Sequence, residues 1–319
     1  MGKTVKPARS GIRKRKRSFF LLVADRISHF EKLGKKKTAD NYACAFRHFS
    51  MFRKEQDISV DELSVGEMKD FQVYLINEGL KMNTISLYNR KLRAVYNYAL
   101  DEEIIHIDKR PFRKSFTGQE KTRKRAVNSN VVKRLANLSL LNRETLRFAR
   151  DLFLFSVYMQ GMPFVDMAYL TKKQVRNGFV IYQRRKTNRQ LKIKIHPQAQ
   201  AIMDQYCVSD PDCPYIFPIL YNPRKRAGRK YSSALRIYNK RLERLSGLMR
   251  LDESLTSYVA RHTWASLARH CGVRDTVICE AMGHSNVGIT SIYLTSLDTG
   301  TVATANRRVI TSLIGKCVT

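Results

Sequence analysis

Residues 260–293 read ARHTWASLARHCGVRDTVICEAMGHSNVGITSIY, a stretch whose punctuation and chemistry organise the rest of the chain. Thr256 to Ala265 has a helical pattern. A second helix is predicted from the Gly272-Val273-Arg274-Asp275 segment to Met282, with Gly283 as its stop, since glycine takes the left-handed conformation that closes a helix. His284 sits just past that stop. Tyr293 follows nine positions later on another short helix.

Working outward, the charge balance comes next. The 319 residues hold 59 Lys and Arg against 27 Asp and Glu, a formal net charge of +32. Such a surface attracts polyanions through its long-range field and through release of condensed counterions. Nucleic acid is therefore the expected partner; a merely soluble basic protein is the blander account of the same numbers. Cleaving a phosphodiester needs a nucleophile, cations for the charge growing on the non-bridging oxygens, and an acid for the leaving oxygen. Metal nucleases meet the second need with ions held by clustered carboxylates. No convincing acidic cluster occurs here, so no metal and no cofactor are expected, and Arg, Lys and His would supply the positive charge. No apolar run is long enough to span a bilayer. Phe19-Phe20-Leu21-Leu22-Val23 follows a basic stretch but stops at Asp25 and Arg26, too soon for a signal peptide, so an intracellular protein with no membrane partner is expected. The six cysteines (Cys44, Cys207, Cys213, Cys271, Cys279 and Cys317) form no CxxC pair and read as reduced small hydrophobes.

At 43% hydrophobic residues the chain can bury a core, and its length suits two domains. Residues 1–17 carry eight basic residues and no acid and read as a flexible basic arm. From Ser18 the period becomes helical. Phe19, Leu22, Val23, Ile27 and Phe30 mark a helix ending near Gly34; Tyr42, Phe46, Phe49 and Phe52 mark a second, starting near Thr38. Ser64 and Glu67 form a capping-box pattern for a third helix with Phe71, Tyr74 and Leu75 on its apolar face. A fourth opens at Asn83 or Thr84 and runs through Leu87, Leu92, Val95, Tyr96 and Ala99. These make a helical bundle over 18–108. Residues 109–125 hold eight Lys or Arg against Glu120, with Pro111 and Gly118, and read as a basic linker extended along a phosphate backbone, with Arg123, Lys124 and Arg125 as DNA contacts. The remainder, 126–319, opens with helices near 129–139 and 143–160. Phe179 to Tyr182 and Leu191 to Ile195 alternate as a β hairpin with a basic tip. Helices resume after Pro197, broken by a basic loop at 222–230. The fold class is thus mainly α with a small β hairpin or sheet.

The opening stretch resembles the C-terminal signature of the tyrosine recombinase, or phage integrase, family: an Arg-His pair, Gly, Met-Gly-His-Ser, then Thr-x-x-Tyr. The resemblance extends over residues 18–310 and implies a SAM-like core-binding domain followed by a catalytic domain, closing on duplex DNA as a C-shaped clamp. It implies that Tyr293 is the nucleophile forming a 3′-phosphotyrosyl bond, that Arg261 holds the scissile phosphate bidentately, and that His284 hydrogen-bonds a phosphate oxygen. Lys186 in Arg185-Lys186-Thr187 matches the lysine that protonates the 5′-oxygen leaving group, and Asp166 an acidic position that braces the site. It further implies double-stranded recombination sites as partners, a homotetramer on two sites, and a bacterial cytoplasmic protein associated with the nucleoid when bound to DNA.

Two positions depart from the family pattern. The Gly-Leu-Arg-x-x-Glu/Asp motif that carries a first catalytic arginine reads Gly161-Met162-Pro163-Phe164-Val165-Asp166, with Pro163 in the arginine slot. A histidine usual three residues before the second arginine is Tyr258, which can hydrogen-bond a phosphate but cannot be a cation. Gln160 and Arg185 are the sequence's candidates to replace the missing arginine. The expected activity is site-specific recombination, as an integrase or an invertase of a mobile-element branch. The rivals are a topoisomerase-like enzyme and a DNA-binding regulator with a decayed site.

Overall fold

A computed structural model describes residues 17–120, 125–222, 227–284, 286–291 and 294. The chain divides into two compact units, Met1–Thr122 and Arg123–Thr319. The arm up to residue 16, Arg123, Lys124, Tyr293 and the segment after Leu294 lie outside the described residues.

The first unit is built from α1 (Phe19–Lys32), α2 (Lys36–Phe52), α3 (Val65–Asn77) and α4 (Met82–Asp101). Ser18 caps α1 by accepting from the Leu21 N–H. The chain before α1 pairs with 58–60, Val60 N–H donating to the Arg17 carbonyl at 2.8 Å. The aromatic stripes read from the sequence meet in one core: Phe19 packs edge-on to Phe49 with ring centroids 5.5 Å apart, and Phe49 edge-on to Phe71 at 5.1 Å. Burying each such side chain is worth roughly 1.5–3 kcal/mol. Ser64 accepts from the Glu67 N–H at 3.1 Å as expected, but Glu67 does not complete a capping box; its carboxylate takes Arg53 at 2.7 Å.

The segment after α4 differs from the extended linker expected there. Phe112 is buried in the first core, and the Tyr96 hydroxyl accepts from the Lys109 N–H at 2.9 Å. Residues 116–120 lie along a polar stripe of α4. Asn89 Nδ2 donates to the Phe116 carbonyl at 3.0 Å, Ser86 Oγ to the Gly118 carbonyl, and Asn83 exchanges two bonds with the Glu120 backbone. Gln72 on α3 accepts from the Phe116 N–H at 2.7 Å. A high count of lysines and arginines suggests exposed spacer; three small polar residues one turn apart on α4 instead satisfy the backbone of this segment. Asn83 therefore serves the segment rather than the start of α4, which begins at Met82 after Lys81.

The second unit surrounds a helix buried along most of its last two turns. It contains α5 (Ser129–Ala136), α6 (Glu144–Tyr158), the short α7 (Phe164–Ala168), β1 (Val175–Arg176), β2 (Phe179–Gln183), β3 (Gln190–Lys194) and α8 (Pro197–Tyr206). After β4 (Tyr221–Asn222) and β5 (Ala227–Gly228) come α9 (Tyr231–Leu248), α10 (Val259–His270), α11 (Asp275–Ala281) and α12 (Val287–Ser291). Leu152 to Val157 of α6 are all buried, against residues from α8, α9 and α10. Among the described residues the strands form one antiparallel three-stranded sheet in the order β1-β2-β3 and a two-residue pair, β4 with β5, which falls largely within the stretch 222–230 that the sequence reads as a loop. In the hairpin Tyr182 faces Leu191 and Val180 faces Ile193. These four are buried while Lys192 and Lys194 are exposed, the period-two pattern of a half-covered strand.

Candidate active site

The alternation of β2 continues one residue past the strand and delivers an arginine to the interior. Val180 and Tyr182 point inward, so Arg184 does too, and it is only 5% exposed. Its guanidinium donates from Nη1 to the carbonyls of Met282 and Gly283, both at 2.9 Å. Gly283 has φ +63°, and a β-carbon there would sit 2.7 Å from Arg184 Cδ, so glycine is required twice over.

Arg261 comes from the first turn of α10, where Val259 to Thr263 are all buried. At 2% exposure it donates from Nη1 to the Gly161 carbonyl at 2.9 Å, and from Nη2 to the Met282 carbonyl at 2.6 Å and to His284 Nε2 at 2.9 Å. Gly161, at φ +69°, would put a β-carbon 3.0 Å from Arg261 Cα. Two positive-φ glycines thus let backbone close onto two arginines, and both guanidiniums share the Met282 carbonyl.

His284 follows the α11 stop, as the sequence indicates, and is 4% exposed. Its backbone is held at both ends, N–H to the Cys279 carbonyl at 3.0 Å and carbonyl accepting from Arg189 Nη1 at 2.8 Å. Its ring lies between Arg261 and Thr290, with Nδ1 2.9 Å from Thr290 Oγ1. Burial pushes its pKa down to about 3, helped by the charges of Arg261, Arg184 and Lys186. The imidazole is neutral at any ordinary pH. Asp166, on α7 and 3% exposed, accepts from the Arg185 N–H at 3.1 Å and faces Arg184 Nε at 3.7 Å. Burial pushes its carboxyl above the ordinary range; the Arg185 N–H and the charges of Arg184, Arg261 and Arg185 pull the other way.

Arg261, His284 and Asp166 therefore assemble with Arg184 in one buried cluster. Lys186 is exposed in the 184–189 turn, near enough for its charge to reach His284. Tyr258, just before α10, is 43% exposed, its ring edge-on to His262 at 5.3 Å. The two candidates for the missing arginine flank the cluster, Gln160 next to Gly161 and Arg185 next to Arg184. Gln160 occupies the left-handed end of α6, at φ +58°. Arg185 is exposed and stacks over the Tyr169 ring, 3.8 Å from its centroid. Arg125 is exposed, while Tyr293, Arg123 and Lys124 fall outside the described residues. Sequence reasoning missed Arg184, although the strand alternation pointed to it, and missed Arg189 and Thr290. Thr290 was visible as part of Thr-x-x-Tyr without its role.

The model of the phage integrase SAM-like domain matches residues 18–117, and that of the phage integrase family matches residues 125–299. The chain belongs to the phage integrase family. Tyrosine recombinase XerC of Bradyrhizobium diazoefficiens is 28% identical over 155 residues, which are 47% of each protein; the integrase-family chain matches about half the length of that curated relative. Among solved structures, the Tn1549 transposon integrase in complex with transposon right end DNA superposes with a TM-score of 0.68 at 14% identity, over 91% of this chain and 99% of that one. A lambda integrase tetramer bound to a Holliday junction gives a TM-score of 0.68 at 17% identity, over 92% and 82%. At these identities the likeness is one of fold: a helical SAM-like unit followed by an integrase catalytic unit.

Proposed function

We propose that this integrase-family chain is a site-specific DNA recombinase, an integrase or invertase, that cuts and rejoins duplex DNA through a 3′-phosphotyrosyl intermediate. The observation that carries the reading is the buried pairing of Arg261 with His284 at 2.9 Å, beside a second guanidinium, in a chain of net charge +32. Removed from water, two guanidiniums are matched to the charge that grows on a phosphate under attack.

Tyr293 attacks the phosphorus, giving its hydroxyl proton to water, and the 5′-oxygen leaves with a proton from Lys186. Arg261 holds the non-bridging oxygens. Arg184 supplies the cation that the Gly161–Asp166 turn lacks, and Asp166 braces it at 3.7 Å. His284, neutral before DNA arrives, gains basicity from the phosphate anion and then bonds one of its oxygens. Tyr258 adds a neutral donor. Because the phosphotyrosyl bond conserves the energy of the broken ester, rejoining needs no nucleotide cofactor. The 18–108 helical unit and Arg123, Lys124 and Arg125 contact the DNA backbone. A homotetramer on two sites is the working assembly, by analogy with the lambda integrase tetramer, acting on the nucleoid inside a bacterial cell.

The test is a nicked suicide substrate, which traps a covalent protein–DNA band. Tyr293→Phe keeps DNA binding and loses the band, because only the attacking oxygen is removed. A protease-sensitive adduct formed by that variant would assign the nucleophile elsewhere, and a wild-type chain that binds but forms no band would be a regulator. A two-site assay separates recombination from simple relaxation.

A further inference from the structure

We infer that Thr290 is a positioning residue that accepts the Nδ1 proton of His284 and, with Arg261 on Nε2, holds the ring in one tautomer and one orientation; the inference deepens the reading of this cluster as an active site. Hydrogen-bond direction decides the tautomer. A guanidinium only donates, so the 2.9 Å contact from Arg261 Nη2 requires a lone pair on His284 Nε2. The proton of the neutral ring is then on Nδ1, 2.9 Å from Thr290 Oγ1, and it donates to that oxygen. A ring carrying its proton on Nε2 would set two donors against each other in a space where neither is hydrated.

Thr290 is fully buried, so no solvent replaces its oxygen. It also stands on α12, three residues before Tyr293, while Leu294 packs with Ala265, Ile278 and Met282. The bond to Nδ1 therefore fastens the helix leading to the nucleophile to the turn that carries His284. The consequence for chemistry is definite. With Nδ1–H committed to Thr290, Nε2 is an acceptor at rest, and His284 donates to a phosphate oxygen only after Nε2 has taken up a proton. Arg261 fixes which nitrogen performs that exchange, and Thr290 holds the ring in place for it.

The tautomer is read without DNA, in the full chain labelled with 15N-histidine, the His284 signals being assigned by their loss in His284→Asn. The expected wild-type pattern is the Nδ1–H neutral form. Thr290→Val, which keeps the shape and removes the oxygen, leaves Nδ1–H without its acceptor and moves the His284 Nδ1–H signal from its hydrogen-bonded position; Thr290→Ser restores it. On a suicide substrate at saturating DNA, Thr290→Val slows single-turnover cleavage by roughly 10- to 100-fold, the range for removing the group that orients a functional histidine, with affinity unchanged and Ser rescuing the rate. An Nε2–H signal in the wild type, an Nδ1–H signal unmoved in Thr290→Val, or wild-type cleavage by Thr290→Val would each overturn the inference. The wild-type reading stands even where the valine variant fails to fold. A wild-type chain that shows Nδ1–H but forms no covalent band defeats the recombinase reading and leaves the lock intact.

Discussion

Arg184 and Arg185 are adjacent residues with opposite fates, and the pair shows how much a single step along a strand decides. Arg184 lies in the cluster with Asp166, Arg261 and His284; Arg185 faces outward over Tyr169. Arg184→Met is therefore expected to slow single-turnover cleavage by on the order of 10²-fold, the usual cost of losing one such donor, whereas Arg185→Ala stays near wild type. The reverse ranking would reassign the missing arginine to Arg185, which the sequence offers beside Gln160. Asp166→Asn tests the brace, since removing one partner of a buried pair leaves the other charge uncompensated at a cost of about 3–5 kcal/mol. His284 makes a pH prediction. Its folded pKa of about 3 is below the ordinary 6.5, so its contribution to stability is complete above pH 6.5 and is lost as the pH falls toward 3. Asp166, raised above 3.8, has the opposite sign: its contribution is present at low pH and is lost as pH rises through its folded pKa. Comparing urea midpoints of wild type and His284→Asn between pH 7 and 5 cancels the Asp166 contribution. The wild type should lose more stability on acidification than the variant, and parallel curves would mean that His284 is solvated.

At the level of elements, the helices are readable because their apolar stripes are complete. Phe19, Phe49 and Phe71 meet as their spacing implies, and Ser64 caps as its type implies. The segment 109–120 is not readable in this way, because its lysines and arginines dominate the composition while its structure is set by backbone bonds to Asn83, Ser86 and Asn89. Composition counts charges and does not tell which carbonyls a helix face satisfies. Asn89→Ala leaves the Phe116 carbonyl without its donor, which costs about 1–3 kcal/mol locally. Trypsin should then cut at Lys114 several-fold faster. An unchanged rate would mean that Gln72, Ser86, Asn83 and the buried Phe112 hold the segment without Asn89. The hairpin is legible from alternation, but not the depth of its tip: Gly283 reads in sequence as a helix stop, and its second role, making room for Arg184, depends on a chain segment about a hundred residues away.

For the whole molecule, a net charge of +32 predicts that binding to the proposed DNA partner weakens as salt rises. Neutralising Arg123, Lys124 and Arg125 should reduce the slope of log affinity against log salt by about one unit for each phosphate they no longer neutralise. An unchanged slope would place those residues away from DNA. The sequence by itself determined the two-part helical organisation and the family, because periodicity and a motif of fixed spacing are properties of chain order. It also named Arg261, His284 and Asp166, which do assemble. Only the tertiary structure decided what completes that cluster: Arg184 in place of Arg185, a carbonyl shared by two guanidiniums, and Thr290 behind His284. Those choices rest on which way a side chain points and which carbonyl or hydroxyl it meets across the core, and neither quantity is written in the order of the residues.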